Sequence, residues 1–263
     1  MKEQDRDRIL LEVRGITKRF GGLVALDNVD FKVQEGEVIG LIGPNGAGKS
    51  TLFNILAGNL KQDKGEIWFS GRESSKLRPF ERCHLGISRS YQIPRPFLDF
   101  SVKQNVLLSL RFGRGENYPA GLDPDQKAIE ILKVFRLENK KEELTRNLNA
   151  VERKRVELAR ALAANPRLLL LDEVLAGLNP AEIEGAIEWM KMFSSSLGIT
   201  VIWVEHIIRP LLAVCTRLIV LHHGKKLKEG SPTEVVSDEK VIEAYLGRTA
   251  KAFQEIRSDN QTP

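Results

Sequence analysis

Apolar residues along this chain fall in short runs cut by glycine and proline, and the runs change period from one segment to the next. Ile9 to Val13 and Val29 to Val33 read as short strands. Gly36 then leads into Val38-Ile39-Gly40-Leu41-Ile42, an apolar run of buried-strand length, followed by a glycine-rich turn. From Lys49 to Ala57 the pattern is helical, Gly58 supplies a stop, and Gly65 to Phe69 resumes as strand.

Pro94, Pro96, Pro119 and Pro124 interrupt a middle region, about 93–165, whose other segments look helical. Within it Ala128, Ile131, Leu132 and Phe135 fall at i, i+3, i+4 and i+7 and predict one apolar helix face. Asn165-Pro166 ends a helix, Leu168 to Leu171 follows as a buried strand, and further strands are expected at Thr200 to Val204 and Leu218 to Leu221. Strands alternating with helices predict an α/β fold with a mostly parallel sheet. Ser231-Pro232-Thr233-Glu234 opens one more helix with a cap, a first-turn proline and an N3 glutamate. Beyond Gly247 a polar tail, 248–263, is expected to be loosely held.

Composition narrows the partners. The chain has 263 residues, 42% hydrophobic and 29% charged, with a formal net charge of +5, which excludes disorder for most of it. A chain of this length buries about three quarters of its unfolded surface, so it needs no disulfide or metal staple. The opening segment, 1–8, is charged, and no apolar run approaches the roughly 18 residues of a membrane span, so the chain is expected to be intracellular and not itself membrane-spanning. Cys83 and Cys215 show no metal-like spacing and read as two reduced thiols. Arg153-Lys154-Arg155 sits between Glu152 and Glu157, and the charges from Glu138 to Glu143 are mixed. Both read as solvated helix faces, and no nucleic-acid partner is expected.

Gly43-Pro44-Asn45-Gly46-Ala47-Gly48-Lys49-Ser50 fits G-x-x-x-x-G-K-[ST] after an apolar strand and before a helix, the context of a phosphate-binding P-loop. Such a loop lets the backbone N–H groups of Gly43, Asn45, Gly46, Ala47 and Gly48 curl around phosphate oxygens at a helix N-terminus. Lys49 is expected to reach the β and γ phosphates, Ser50 to offer its hydroxyl to Mg²⁺, and Thr51 to bond a phosphate oxygen. A P-loop leaves GTPases, kinases and ATPases open. Four leucines ending in Asp172-Glu173 put two carboxylates at the carboxyl end of a buried strand, where open α/β sheets place ligands. Asp172 can hold Mg²⁺ through water, and Glu173 can polarise the water that attacks the γ phosphate.

With these residues in order, the sequence resembles the ATP-binding subunits of ABC transporters over nearly all of 9–247. The resemblance implies a P-loop NTPase fold: α/β, with a mostly parallel sheet, a small antiparallel β portion and a helical subdomain at about 93–165. Gln92, after Gly86 to Tyr91, matches the family's Q-loop glutamine, which contacts Mg²⁺. His206, after Val201 to Glu205, matches the switch histidine, which bonds the γ phosphate and orients the attacking water. Phe20, in Lys18-Arg19-Phe20-Gly21, looks like the aromatic that stacks on adenine. ATP and Mg²⁺ are the implied substrate and cofactor. Membrane-spanning permease subunits and a second ATP-binding subunit are the implied partners, with this chain peripheral on the inner face of the cell membrane.

The sequence departs from the family at its signature, Leu-Ser-Gly-Gly-Gln, which is Leu148-Asn149-Ala150-Val151-Glu152 here. In the family this segment faces ATP held by the opposite P-loop of a head-to-tail dimer. Asn149 can still cap the following helix, with Glu152 at N3. Ala150 and Val151 carry Cβ atoms where glycines allow close approach, and Glu152 brings negative charge. Val174 stands where proline often follows the acidic pair, and Ala176-Gly177-Leu178-Asn179 ends in Asn instead of Asp. These departures suggest pairing with a different ATPase subunit.

The nearest subfamily by resemblance is the ATP-binding subunit of branched-chain amino acid importers, on Asp172 to Pro180, on Ser88-Arg89-Ser90-Tyr91-Gln92 followed by Pro94, and on the ending Val241 to Gly247. Two rivals stand beside it. A soluble ABC ATPase of repair or translation commonly carries two nucleotide domains or long coiled-coil insertions, and neither is visible. A GTPase or small-molecule kinase is the other, and of the guanine motif only Asn139-Lys140-Lys141-Glu142 occurs, as a near miss.

Overall fold

The computed structural model describes residues 9–114 and 123–245; the charged start at 1–8, Pro119, Gly247 and the polar tail at 248–263 lie outside them. The described residues form two compact units, one within Met1–Lys76 and Ile202–Pro263, the other within Leu77–Val201.

In the first unit, β1 (Ile9–Phe20) and β2 (Leu23–Gln34) form an antiparallel hairpin that continues through β4 (Lys64–Phe69) and β5 (Arg72–Glu73) in the order β2-β1-β4-β5. Both hairpin strands are longer than the short runs the sequence predicts, because register shifts along β1 break the alternation that marks a strand. β3 (Val38–Ile42) is buried at every position and lies parallel to β9 (Arg217–His222), as a strand covered on both faces should. The polar edge strand β10 (Lys225–Gly230) pairs antiparallel with β9. Helix α1 (Lys49–Leu56) follows β3 directly and buries Leu52, Phe53, Ile55 and Leu56. Helices α7 (Ile208–Val214), α8 (Pro232–Ser237) and α9 (Glu239–Tyr245) complete the unit. The expected cap of α8 is present: the Ser231 hydroxyl accepts from Glu234 N–H, and the Glu234 carboxylate accepts from Ser231 N–H.

In the second unit, β6 (Ile87–Arg89) and β7 (Leu168–Asp172) are parallel neighbours, and β7 is buried throughout. Helix α2 (Pro79–Leu85) precedes β6. Between these strands run α3 (Val102–Phe112), α4 (Pro124–Val134) and α5 (Ala150–Ala163), with short 3-10 turns at Glu138–Lys140 and Thr145–Asn147. The four residues of the predicted apolar face, Ala128, Ile131, Leu132 and Phe135, are all buried. After β7 come α6 (Pro180–Ser195) and β8 (Thr200–Val204), the strand on which the chain passes from the second unit back to the first. The fold is α/β, with a larger, mostly parallel sheet, an antiparallel sheet and helices, as the sequence predicts. Cys83 and Cys215 are both free thiols, and burial pushes the pKa of each up.

Candidate functional site

The first unit carries the phosphate loop. β3 delivers the chain into Gly43, and Gly48 ends the loop as the N-cap of α1 with φ of 104°, a conformation that disfavours any side chain. A Cβ at Gly48 would stand 2.6 Å from the carbonyl oxygen of Ala25, and one at Gly43 would fall on the carbonyl oxygen of Leu221. Both glycines are therefore required by close backbone approach as well as by conformation. The loop is braced from behind, where Gly224 N–H donates to Ala47 O at 3.1 Å and Asp27 N–H donates to Gly224 O at 2.8 Å. Lys49 is only 6% exposed, and its ammonium donates to Gly43 O at 2.6 Å and Pro44 O at 3.1 Å. Ser50 and Thr51 follow it in the first turn of α1. Behind the loop the Tyr245 hydroxyl oxygen of α9 accepts a hydrogen bond from Gly43 N–H, while burial raises its phenol pKa.

Phe20 ends β1 opposite Leu23, 49% exposed. The Lys18 ammonium lies 5.5 Å from the Phe20 ring centre and is paired with Asp63 at 2.9 Å, which also accepts from Arg19 N–H. The ring thus stands open beside a tied-down cation. His206 is exposed just after β8, and the preceding Glu205 is buried, accepting from the Trp203 indole at 3.2 Å.

The second unit brings Asp172, Glu173, Arg89, Ser90 and Gln92 together at the end of β7. Asp172 is 5% exposed and pairs with Arg89 of β6 at 2.8 Å, and Asp172 N–H donates to the Ser90 hydroxyl. Arg89 is thus a neighbour of the acidic pair that sequence reasoning did not assign to it. Arg89→Met is expected to lower the stability of the chain by about 3 kcal/mol or more, because removing one partner leaves a buried carboxylate uncompensated. Denaturant unfolding of the two proteins measures it. Glu173 has φ of 48°, a left-handed turn costly for a non-glycine residue, immediately after the strand. Its Oε2 accepts from the Gln92 carboxamide at 2.5 Å, so Gln92 and Glu173 touch although 81 residues separate them. Lys154 of α5 donates to Glu173 O at 3.3 Å and Ala176 O at 2.9 Å, holding the turn that follows.

The loop carrying Gln92 has no regular structure, and α5 holds it. Glu157 accepts from Tyr91 N–H through Oε1 and from Arg95 N–H through Oε2, the latter at 2.5 Å. Burial raises its carboxyl pKa, against the pull of those two donors. Arg160, one turn on, donates to Arg95 O at 2.8 Å and lies 4.7 Å from the Phe97 ring centre. The sequence placed Glu157 beside a solvated helix face, whereas the structure buries it, because its two oxygens face the amides of the Gln92 loop.

The altered signature forms the expected cap. Asn149 Oδ1 accepts from Glu152 N–H at 2.9 Å, and the Glu152 carboxylate accepts from Asn149 N–H at 3.1 Å. Lys140 pairs with Glu152 at 2.7 Å, and against the opposing effect of burial this contact and the Asn149 N–H hold its carboxyl below the usual range. The negative charge at Glu152 is therefore partly neutralised. Ala150 and Val151 occupy the first turn of α5. Asn179 caps α6 in the same way, with Glu182 at N3 and Pro180 at N1.

Residues 26–176 match the ABC transporter family. The chain belongs to that family. A further match, over residues 225–251, is to the branched-chain amino acid ATP-binding cassette transporter family. The lipopolysaccharide export system ATP-binding protein LptB of Acidithiobacillus ferridurans is 36% identical over 242 residues, covering 90% of this chain and 97% of its own. The high-affinity branched-chain amino acid transport ATP-binding protein BraF of Pseudomonas aeruginosa is 34% identical over 251 residues, covering 91% and 98%. A crystal structure of an ATP-binding cassette of an ABC transporter in its ADP conformation superposes with a TM-score of 0.80 at 32% identity, covering 91% of this chain and 99% of that one.

This ABC protein is an ATPase and the ATP-binding subunit of a transporter. Among its described residues no helix is long and apolar enough to cross a membrane, and cassettes of this kind associate with membrane components. Its metal-binding candidates, the Ser50 hydroxyl, the Gln92 carboxamide and the Asp172 carboxylate, are all hard oxygen donors that suit Mg²⁺. No group of three or more His, Cys, Asp or Glu side chains able to hold a metal ion occurs among the described residues.

Proposed function

We propose that this cassette drives an importer of branched-chain or related amino acids, working from the inner face of the cell membrane with permease subunits and a second ATP-binding subunit. The observation that carries this reading is the match of residues 225–251, which include β10, α8 and α9, to the branched-chain amino acid cassette family. Likeness to LptB, at comparable identity, favours lipopolysaccharide export as the second reading.

In this proposal the loop of Gly43, Asn45, Gly46, Ala47 and Gly48 cradles the phosphates, with the N–H groups of Asn45, Gly46 and Gly48 turned to them, Lys49 neutralises the β and γ groups, and Thr51 bonds a phosphate oxygen. Phe20, with its exposed face, stacks on adenine. Ser50, Gln92 and Asp172 would hold Mg²⁺, which supplies charge neutralisation at the β and γ phosphates. Glu173 polarises the attacking water, and His206 bonds the γ phosphate and orients that water. Asn149, Ala150, Val151 and Glu152 face the ATP of the partner cassette. With Cβ atoms on two of the glycine positions, they serve that site poorly, so the partner is a different ATPase subunit with an intact signature.

Purification from membranes with the attached subunits, followed by their identification and uptake assays in proteoliposomes, tests the reading. ATP-dependent uptake of leucine, isoleucine or valine is the expected result. Extraction of lipopolysaccharide without amino acid uptake would replace it with the second reading, and cooperative full-rate hydrolysis by the pure chain would remove the unlike partner.

A further inference from the structure

Gln92 lies in an irregular loop, so its position depends on whatever holds the residues on either side of it. One buried carboxylate does so from both sides. Glu157, 5% exposed, accepts from the backbone N–H of Tyr91 with one oxygen and of Arg95 with the other, bracketing Gln92, Ile93 and Pro94. Arg160 of the same helix closes the outer edge by donating to Arg95 O at 2.8 Å. At the opposite end that helix starts at Asn149, the cap of the altered signature. Gln92 in turn donates to Glu173 at 2.5 Å.

We propose that Glu157 is a positioning residue for hydrolysis: it fastens the Gln92 loop to α5, so that Gln92 and the signature end of α5 are carried together, and it acts on Glu173 only through Gln92. The inference rests on the proposed roles of Gln92 and Glu173. The physical argument is the match between a carboxylate and two N–H donors. An ionised carboxylate offers acceptors on both oxygens and can satisfy both amides at once. A carboxamide of the same shape offers one acceptor and sets an NH₂ donor against the other amide, so one side of the bracket opens while the packing of the helix is kept.

The test is a double-mutant cycle on the assembled transporter, with Glu157→Gln, Gln92→Ala and the pair, reading kcat and KM for ATP together with thermal unfolding. Glu157→Gln alone is expected to lower kcat about tenfold with KM within about twofold, because the phosphate loop is untouched. In the Gln92→Ala background the same change is expected to alter kcat by less than about twofold, which a general loss of packing would not produce. Should Glu157→Gln fail to fold, Arg95→Pro deletes one of the two donors while leaving the buried carboxylate in place, and the same cycle applies with the same expected result. A fully active Glu157→Gln, or an equal loss in both backgrounds, overturns the inference while leaving the reading of Gln92 intact. A Gln92→Ala with undiminished kcat removes that reading and the inference with it.

Discussion

Glu173→Gln is expected to lower ATP turnover by about 1,000-fold, equivalent to roughly 4 kcal/mol of barrier, while ATP affinity stays within about twofold. The carboxylate is the proposed group that polarises the attacking water and accepts its proton, which a carboxamide cannot do. The remaining geometry survives the change. The left-handed backbone at Glu173 suits an isosteric side chain as well as the native one, and the Lys154 bonds go to backbone carbonyls of Glu173 and Ala176, which the substitution does not touch. The carboxamide oxygen can still accept from Gln92, so the contact between the two residues is kept. Single-turnover hydrolysis in the assembled transporter, beside ATP binding on the same sample, measures both numbers. Turnover within tenfold of wild type would remove Glu173 from its proposed role.

Lys49→Ala is expected to weaken ATP binding at least about 100-fold, close to 3 kcal/mol. The ammonium is nearly enclosed and already directed at the mouth of its own loop by the carbonyls of Gly43 and Pro44. A triphosphate offers it stronger, charged acceptors at little cost in side-chain freedom, since the side chain is ordered beforehand. Truncation loses that charge and leaves the two loop carbonyls without this donor. Lys49→Arg is expected to recover little, because a planar guanidinium is larger than the ammonium it replaces in a site 6% exposed. Calorimetry with Mg²⁺ and ATP reads the affinity. A dissociation constant within a few-fold of wild type would sink the proposed role of the phosphate loop.

Local chemistry explains which parts of this protein could be read in advance. The strand, loop and helix around Gly43 to Ala57 follow from an apolar run, glycines at positions a side chain cannot occupy, and a helical pattern that starts at Lys49. The caps at Asn149 and Ser231 were legible for the same reason, since a capping box is closed by residues three apart. The full length of the β1 and β2 hairpin was not legible, because bulges shift its register and hide the period.

The sequence by itself determined the nucleotide-binding loop, the acidic pair at the end of a buried strand, the α/β character and the family resemblance, all of which depend on neighbours along the chain. Tertiary structure alone decided that Arg89 neutralises Asp172, that Gln92 meets Glu173, and that Glu157 secures the loop between them. Those contacts join residues 62 to 83 positions apart. A buried ion pair or a bracketed loop leaves no periodic trace, because its energy comes from desolvation and geometry that exist only once the chain has packed.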